Sequence, residues 1–306
     1  MKLVELALNG PGGEKPSDSS NILLGPGAVP VPMDTAPLRV AEPLEPFDID
    51  LEGLARQGFF TPSDRPERLS LELRAIKRRL LRRLKFRKIA SRRREPVMNE
   101  QMQRPSNLVL TTSTRPAEGK TFTSINLALS LALEDNIGVV LVDADLPRPK
   151  VLSHFGLKGG RGLSDLIDQP GDVHLRECLL RERNSPLAIL PQGQFDGSAI
   201  DLFSREETSL FLHDLSNRFP DRLIIIDAPP VLATPEAVAL APHVDEIVFV
   251  VEANETPEPA VATALDELLD VNERISVVLN RCLVTENAIH YGSYKEYYYR
   301  HGRDKE

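Results

Sequence analysis

At 306 residues the chain is long enough for one large domain or two ordinary ones, and its composition predicts a water-soluble globular protein with an unusual number of prolines. It has no apolar run of the roughly 18 residues needed to span a bilayer and no signal-peptide pattern at its start, which argues against integral membrane and secreted proteins. Its two cysteines, Cys178 and Cys282, lie far apart without metal-ligand spacing, so we expect reduced thiols in a cytoplasmic protein.

The formal charge of −8 is distributed unevenly along the chain. Residues 74–94, with the sequence RAIKRRLLRRLKFRKIASRRR, contain 12 basic residues and no acidic one, so the rest of the chain carries −20. The sequence therefore predicts an acidic body with one strongly basic segment.

Residues 1–67 carry 10 of the 25 prolines and show no sustained hydrophobic period. Because a segment of this composition buries little apolar surface, we predict a disordered, proline-rich arm. Only the stretch DIDLEGLARQGFF has the pattern of a short helix.

Residues 68–95 are predicted to form a basic amphipathic helix. Apolar residues recur at steps of three and four and share one face, while Arg and Lys occupy the other face. Two interpretations remain open: the basic face binds an anionic membrane, nucleic acid or an acidic protein, or the apolar stripe simply packs on the following domain. The stripe consists of Leu69, Leu73, Ile76, Leu80 and Leu84.

Residues 96–285 alternate between apolar, β-branched runs and helical stretches. The runs are continuously apolar, as expected of strands buried on both faces, and the alternation predicts an α/β fold with a parallel sheet between two layers of helices. Ligands of such folds bind beyond the carboxyl ends of the strands. The predicted strands are NLVLTTS, GVVLVDAD, LAILPQG, RLIIIDAPP, EIVFVVEA and ISVVLNR.

A phosphate-binding loop is predicted directly after the first of these strands. Residues 114–121 read TRPAEGKT and match the P-loop pattern G-x-x-x-x-G-K-[ST] except at the first glycine. Gly119 permits close backbone approach, Lys120 supplies a cation for the β- and γ-phosphates of ATP, and Thr121 supplies a hydroxyl for Mg²⁺. The predicted nucleotide-binding residues of this segment are Thr114, Arg115, Pro116, Ala117, Glu118, Gly119, Lys120, Thr121 and Phe122.

Carboxylates follow two further strands. Asp143 and Asp145 lie at the end of GVVLVDAD, and Asp227 follows four large apolar residues in a pattern of the Walker B type. Next to a lysine and a metal ion these anions are compensated. We therefore predict that Thr121, Asp143 and Asp227 bind Mg²⁺, although any single one of the carboxylates could instead be a turn or capping residue.

These motifs together resemble those of the bacterial tyrosine kinases, P-loop enzymes unrelated to the eukaryotic kinase fold. The resemblance covers about residues 105–300, and the run EGKTFTSINLALSLALE is most similar to the subgroup found with exosortase-associated exopolysaccharide loci. It implies an α/β P-loop NTPase fold of the deviant Walker (MinD/ParA-like) type.

Three features depart from the family. Ala117 replaces a glycine, and Pro147 stands where the D-x-D-x-R motif has arginine, with Arg148 one residue later. The stretch nearest to the family's E-x-x-R-x-x-R oligomerisation motif has Leu71, Arg74 and Lys77 and lacks the acid.

The resemblance also implies a role for the C-terminal segment, residues 286–306, where all five tyrosines of the chain lie within nine residues. In the family such a cluster accepts phosphate in the active site of a neighbouring subunit. Lys120, Asp143, Asp145 and Asp227 are then the catalytic residues, and Asp143 or Asp145 accepts or orients the tyrosine proton. The implied acceptors are Tyr291, Tyr294, Tyr297, Tyr298 and Tyr299.

Asn280 and Arg281 follow the last predicted strand. In related folds this strand end contacts the adenine base, so Asn280 is expected to hydrogen-bond to the base edge and Arg281 to stack on the ring. Ordinary loop roles remain the alternative for both residues.

The implied function is that of an ATP- and Mg²⁺-dependent protein-tyrosine autokinase that regulates exopolysaccharide synthesis and export. The implied partners are further copies of the chain and a separate membrane-embedded polysaccharide co-polymerase, which would hold the protein at the inner face of the membrane; an anionic membrane surface is a further candidate partner, and no nucleic acid is expected. One alternative is a partitioning or positioning ATPase of the deviant Walker type that binds membrane or DNA through the basic helix, with Arg115 at the position of a signature lysine. A catalytically inactive scaffold is the other.

Overall fold

A mostly parallel β-sheet forms the centre of the protein in the computed structural model, which describes residues 2–3, 44–62, 68–86, 105–194 and 196–282. All six strands predicted from the sequence are confirmed, and two short edge strands are added. The strands are β1 (Lys2–Leu3), β2 (Leu108–Ser113), β3 (Gly138–Asp143), β4 (Leu180–Arg181), β5 (Leu187–Leu190), β6 (Arg222–Asp227), β7 (Glu246–Glu252) and β8 (Ile275–Asn280).

The strand order across the sheet is β1-β8-β7-β2-β6-β3-β5-β4. The six inner strands are parallel, and only β1 and β4 pair antiparallel with their neighbours. Strands β2, β6 and β3 are adjacent, and their register places Asp143 opposite Asp227 and Asp227 opposite Thr111. The carboxyl ends that carry the predicted site residues therefore meet at one edge of the sheet.

Helices cover both faces of the sheet, as the continuous burial of the strands predicts. Successive strand residues point to opposite faces, so Val139 and Leu141 join one apolar core and Val140 and Val142 join the other. One core is closed by α1 (Leu51–Arg56), α2 (Arg68–Arg83), α3 (Lys120–Ala132) and α4 (Val151–His154). The other is closed by α5 (Leu163–Asp168), α6 (Leu175–Cys178), α7 (Ala199–Phe203), α8 (Glu206–Arg218), α9 (Glu236–Leu240) and α10 (Glu258–Leu269).

The prediction of a disordered arm over residues 1–67 is wrong for residues 44–62, which form an ordered part of the domain. The predicted short helix is present as α1, and Leu54 and Phe59 are buried against the same core as α2 and α3. The backbone of Phe47 exchanges two hydrogen bonds of 2.9 Å with residues 181 and 183 beside β4. Apolar residues among the prolines thus find partners on the domain that the local composition does not reveal.

The predicted basic helix corresponds to α2, which ends at Arg83, and residues 87–95 of the prediction lie outside the described residues. Its apolar stripe packs on α3 and the sheet, with Leu73, Ile76, Leu80 and Leu84 at 2% exposure or less. The packing interpretation of the stripe is therefore confirmed. None of the helices in the described ranges is long and apolar enough to cross a bilayer.

Two ion pairs fasten α2 to the domain. The buried ammonium of Lys77 lies 2.8 Å from a carboxylate oxygen of Glu134 and donates to the carbonyl of Ser130. Arg83 lies 2.6 Å from the fully buried carboxylate of Glu246, which also accepts a hydrogen bond of 2.7 Å from Ser276. These two cations of the basic segment therefore have structural roles.

Candidate active site

The P-loop connects the end of β2 to the start of α3. Its backbone is fixed by the buried Glu118, whose carboxylate accepts a hydrogen bond of 2.9 Å from the amide of Arg115 and one from the hydroxyl of Thr256. The side-chain amide of Asn280 donates to the carbonyl of Glu118 at 2.8 Å. Residues at the ends of β7 and β8 thus hold the loop from the side.

Two residues of the loop adopt the left-handed backbone conformation. Gly119 has φ of +94°, and a Cβ atom there would lie 2.0 Å from the amide nitrogen of Asn280, so only glycine fits. Ala117 has φ of +71°, a conformation that glycine adopts far more readily than alanine. The position where the sequence departs from the family pattern is therefore one at which the backbone itself favours glycine.

Lys120, the first residue of α3, lies among carboxylates. Its ammonium is 2.6 Å from Asp145 and 3.6 Å from Asp227. Burial by itself lowers the pKa of Lys120, but the attraction of Asp227, Asp145 and Asp143 outweighs it and raises the pKa above the ordinary value. The side chain is thus a firmly charged cation at the loop.

Asp227 is fully buried at the end of β6, where it accepts hydrogen bonds from two hydroxyls of α3. Thr121 donates at 2.6 Å and Ser124 at 3.0 Å. Burial raises the pKa of Asp227, although Lys120 and the two hydroxyls oppose the shift. Ser124 was not predicted from the sequence, yet it lies three residues after Thr121 and hence on the same helix face, which is the signal that could have identified it.

Asp143 is buried at the end of β3, and its carboxylate accepts hydrogen bonds from backbone amides. The donors are the amides of Lys150 at 3.1 Å, Val151 at 3.0 Å and Asp145 at 3.3 Å. Burial, together with the nearby charge of Asp227, raises the pKa of Asp143 to about 7. In this structure the carboxylate holds the turn that leads into α4, which is the capping role left open above.

A cavity of about 490 Å³ opens beside these residues at the carboxyl edge of the sheet. Of the predicted site residues, Lys120, Thr121 and Asp145 line it, and so do Pro116, Ala117, Gly119, Phe122 and Arg281. Six of the predicted residues that the structure describes are not part of its lining: Thr114, Arg115, Glu118, Asp143, Asp227 and Asn280. Asp227 lies directly behind two lining residues, Lys120 and Thr121.

Basic side chains stand at the mouth of the cavity. Arg148 and Lys150 are exposed and contribute to its lining, and Arg281 does so while paired with Glu252 at 2.7 Å. His154 lies beside them, and burial and the nearby charge of Lys150 lower its pKa, so the imidazole is neutral at pH 7. The cavity therefore combines a cationic mouth with buried carboxylates, which suits a polyphosphate ligand.

The chain is 32% identical over 139 residues to the tyrosine-protein kinase ptk of Acinetobacter johnsonii, which covers 45% of this chain and 18% of that protein. It is 28% identical over 202 residues to the tyrosine-protein kinase CpsD of Streptococcus agalactiae, covering 65% of this chain and 85% of that protein. The solved kinase domain of VpsO shares 36% identity and a TM-score of 0.53, over 58% of this chain and 86% of that one. The chain belongs to the family of bacterial tyrosine kinases. No protein-family model matches it.

In this bacterial tyrosine kinase the residues fit a magnesium ion bound together with a nucleotide. Among the described residues no group of three or more His, Cys, Asp or Glu side chains could bind a metal alone. Mg²⁺ is usually bound by one or two protein oxygens together with phosphates and water. The hydroxyl of Thr121, which donates to the carboxylate of Asp227, and that carboxylate provide such a pair of oxygens beside the cavity.

The side chain of Asn280 is bonded to the P-loop of the kinase rather than directed at a base. It is 6% exposed, and its amide group is used to donate to Glu118. Arg281 lines the cavity, and its stacking on the adenine ring stays a prediction. The five tyrosines at 291–299 lie outside the described residues.

Proposed function

We propose that the chain is an ATP-dependent protein-tyrosine autokinase that transfers the γ-phosphoryl group of ATP to tyrosines of its own C-terminal cluster. The observation that carries the proposal is the cavity at which the P-loop lysine meets the carboxylate of Asp145, in a chain of the bacterial tyrosine kinase family. The substrate assignment is supported by composition, because every tyrosine of the chain lies at 291–299.

In this proposal the phosphates of ATP lie against the P-loop and the start of α3. Lys120 turns from Asp145 to the β- and γ-phosphates, which compete for its charge, and the basic mouth with Arg148 and Lys150 adds further attraction. Thr121 and Asp227 would hold Mg²⁺, and the ion would neutralise charge on the phosphates. Asp143 keeps the turn before α4 in place through its three amide contacts.

The incoming tyrosine needs a proton acceptor, because its hydroxyl has a pKa near 10. Asp145 lines the cavity, whereas the carboxylate of Asp143 is engaged with amides. Once Lys120 contacts phosphate, Oδ2 of Asp145 is free to accept the tyrosine proton, while Oδ1 keeps its hydrogen bond of 3.1 Å from the amide of Arg148. The tyrosine oxygen then bonds to the γ-phosphorus while the bond to the β,γ-bridging oxygen breaks, and ADP leaves with that electron pair.

Incubation of the purified chain with ATP and Mg²⁺, followed by a phosphotyrosine blot, tests the assignment of the site. Lys120→Met removes the phosphate cation and should abolish the signal. Lys158→Met is the matched control, because Lys158 is exposed on another part of the surface and should label normally. Equal labelling of both variants would contradict the P-loop assignment.

The roles of the two aspartates are tested by the rate of labelling together with the affinity for nucleotide. Asp145→Asn should slow labelling strongly and leave nucleotide affinity largely intact, because the carboxylate acts on the acceptor. Asp143→Asn should also reduce labelling, but through the turn that it supports. A wild-type rate in Asp145→Asn would assign the proton acceptor elsewhere.

Transfer between subunits is tested with a mixture of two inactive chains. One carries phenylalanine at all five tyrosine positions and keeps its active site, and the other is Lys120→Met and keeps its tail. Transfer between subunits predicts that the Lys120→Met chains become labelled, and more strongly at higher protein concentration. An unlabelled mixture beside normally labelled wild-type protein would restrict transfer to within one subunit.

We place this activity in the regulation of exopolysaccharide synthesis and export, in the exosortase-associated subgroup. Support comes from the similarity of the run EGKTFTSINLALSLALE to that subgroup. The partners would be further copies of the chain and a membrane-embedded co-polymerase that activates it at the inner face of the membrane. Each added phosphate brings about −1.5 to −2 charges to the tail, so repulsion from the acidic body should weaken subunit contacts.

A further inference from the structure

Helix α2 presents two narrow stripes on opposite sides. At 100° per residue, Leu73, Ile76, Leu80 and Leu84 fall on one side, and these are the residues buried in the core. The residues at steps of three and four on the opposite side are exposed, and so is Lys85 in the turn that follows the helix. We call these residues the basic face: Leu71, Arg74, Arg78, Arg82 and Lys85.

Two cations of α2 have structural roles, and three others belong to the basic face. Lys77 and Arg83 lie at the borders of the buried stripe, and they are consumed by ion pairs with Glu134 and Glu246. Within the described residues, no carboxylate lies within ion-pair distance of the four cations of the basic face. The positive charge of this face is therefore directed outward, on a chain whose remainder is strongly acidic.

We propose that the basic face is a docking surface for a membrane rich in anionic phospholipid, with α2 lying parallel to the lipid surface. Because the apolar stripe is buried, the helix cannot insert in the manner of an amphipathic anchor, and contact is made by the Arg and Lys side chains with lipid phosphates. Leu71, at 51% exposure, is the one large apolar side chain of the face and suits the headgroup boundary.

A lipid surface fits this face better than nucleic acid does. The face has no aromatic or amide side chain that could stack on or hydrogen-bond to a base, and it ends in an exposed leucine. Its cations from Arg74 to Arg82 lie along one side of α2 over about 12 Å, and a straight row of cations matches a flat array of phosphates. The acidic remainder would be repelled from the same lipids, which fixes the orientation of the domain.

The test is sedimentation of the full chain with vesicles, in the absence of ATP, so that the outcome is independent of the kinase activity. Wild-type protein should bind vesicles of phosphatidylcholine with 30% phosphatidylglycerol, and binding should be lost in pure phosphatidylcholine and at high salt. Replacing Arg78 and Arg82 with glutamine should lower the partition coefficient about 25-fold, or about fivefold for each cation removed.

The matched control replaces Lys158 and Arg176 with glutamine. These two exposed cations lie outside α2, so the net charge changes equally while vesicle binding should stay at the wild-type level. We expect both variants to fold, because none of the four replaced residues forms an ion pair within the described residues. Thermal unfolding measures this. The proposal would be overturned if both variants lost vesicle binding equally, or if the Arg78 and Arg82 variant bound vesicles like the wild-type protein. It would also be overturned if the chain bound duplex DNA but not anionic vesicles.

Discussion

Ala117 of the P-loop adopts a backbone conformation that is unfavourable for alanine. Its φ of +71° lies in the left-handed region, which costs a residue with a Cβ atom about 1–2 kcal/mol. Glycine would relieve this cost but would lose about 0.4–1 kcal/mol through the greater freedom of the unfolded chain.

We therefore predict that Ala117→Gly raises the free energy of unfolding by a few tenths to about 1 kcal/mol. The control is Ala75→Gly in the exposed middle of α2, which should lower it by about 1 kcal/mol. Urea unfolding of both variants measures the difference. Destabilisation of similar size in both would show that position 117 carries no strain.

Asp143 predicts a pH dependence of stability in the protein free of metal and nucleotide. Its folded-state pKa of about 7 lies above the ordinary value of 3.8, so between about pH 4 and pH 7 the folded state binds a proton that the unfolded state has lost. The free energy of unfolding should therefore fall as pH rises through this window. In Asp143→Asn the free energy of unfolding should fall less steeply with pH. A smaller slope should remain in this variant, because burial also raises the pKa of Asp227.

Urea unfolding in EDTA at pH 5, 6, 7 and 8 tests this dependence. The wild-type protein should lose stability with each step, and the variant should lose less. The same slope in both proteins would mean that Asp143 does not bind the extra proton.

At the scale of the element, the P-loop is held by strand ends that its own sequence does not reveal. Asn280 at the end of β8 donates to the carbonyl of Glu118, and Thr256 after β7 donates to the carboxylate of the same residue. The glycine and lysine of the motif could be predicted from their spacing. These lateral contacts join residues more than 130 positions apart and leave no local pattern.

We predict that Asn280→Ala lowers nucleotide affinity about 10- to 100-fold, because a buried carbonyl without a donor costs about 1–3 kcal/mol and the loop would move to recover one. Titration with a fluorescent ADP analogue measures the affinity. Asn272→Ala is the matched control: it removes an amide that donates to the carbonyls of Ala241 and Val244, remote from the cavity. Equal affinity in both variants would reduce Asn280 to a general stabilising residue.

At the scale of the whole molecule, the proline-rich N-terminal region contributes to the domain. Phe59 stacks on Phe122 with ring centroids 5.1 Å apart and contacts the ring of His154, and both partners line the cavity. The amide of Phe60 donates to the side chain of Asn126 in α3. Residues 44–62 therefore support one wall of the candidate site.

Phe59→Ala should lower the free energy of unfolding by about 3 kcal/mol, the lower range for a buried phenylalanine, and should weaken nucleotide binding because Phe122 loses its support. Phe60→Ala, a change at the neighbouring half-buried ring, should have a smaller effect on both quantities. Thermal unfolding and nucleotide titration measure them. An unchanged affinity for nucleotide in Phe59→Ala would show that residues 44–62 do not support the candidate site.

The central sheet could be predicted from the sequence because six buried strands are long, apolar and β-branched. Strands β1 and β4 have two residues each, too few to show a period, and they form only because neighbouring strands offer free edges. The order of residues 44–62 could not be predicted from the composition of residues 1–67, because most of the prolines there lie outside this stretch. At the site, Lys120, Asp145, Thr121 and Asp227 come together as predicted, whereas the engagement of Asp143 and Asn280 depends on tertiary contacts.

The most direct test of the account is to map the phosphorylated residues of the full chain after incubation with ATP and Mg²⁺. Tandem mass spectrometry should find phosphate on one or more of Tyr291, Tyr294, Tyr297, Tyr298 and Tyr299 in wild-type protein and none in Lys120→Met. Hydrolysis of ATP without any phosphotyrosine would contradict the account and would instead support a partitioning or positioning ATPase.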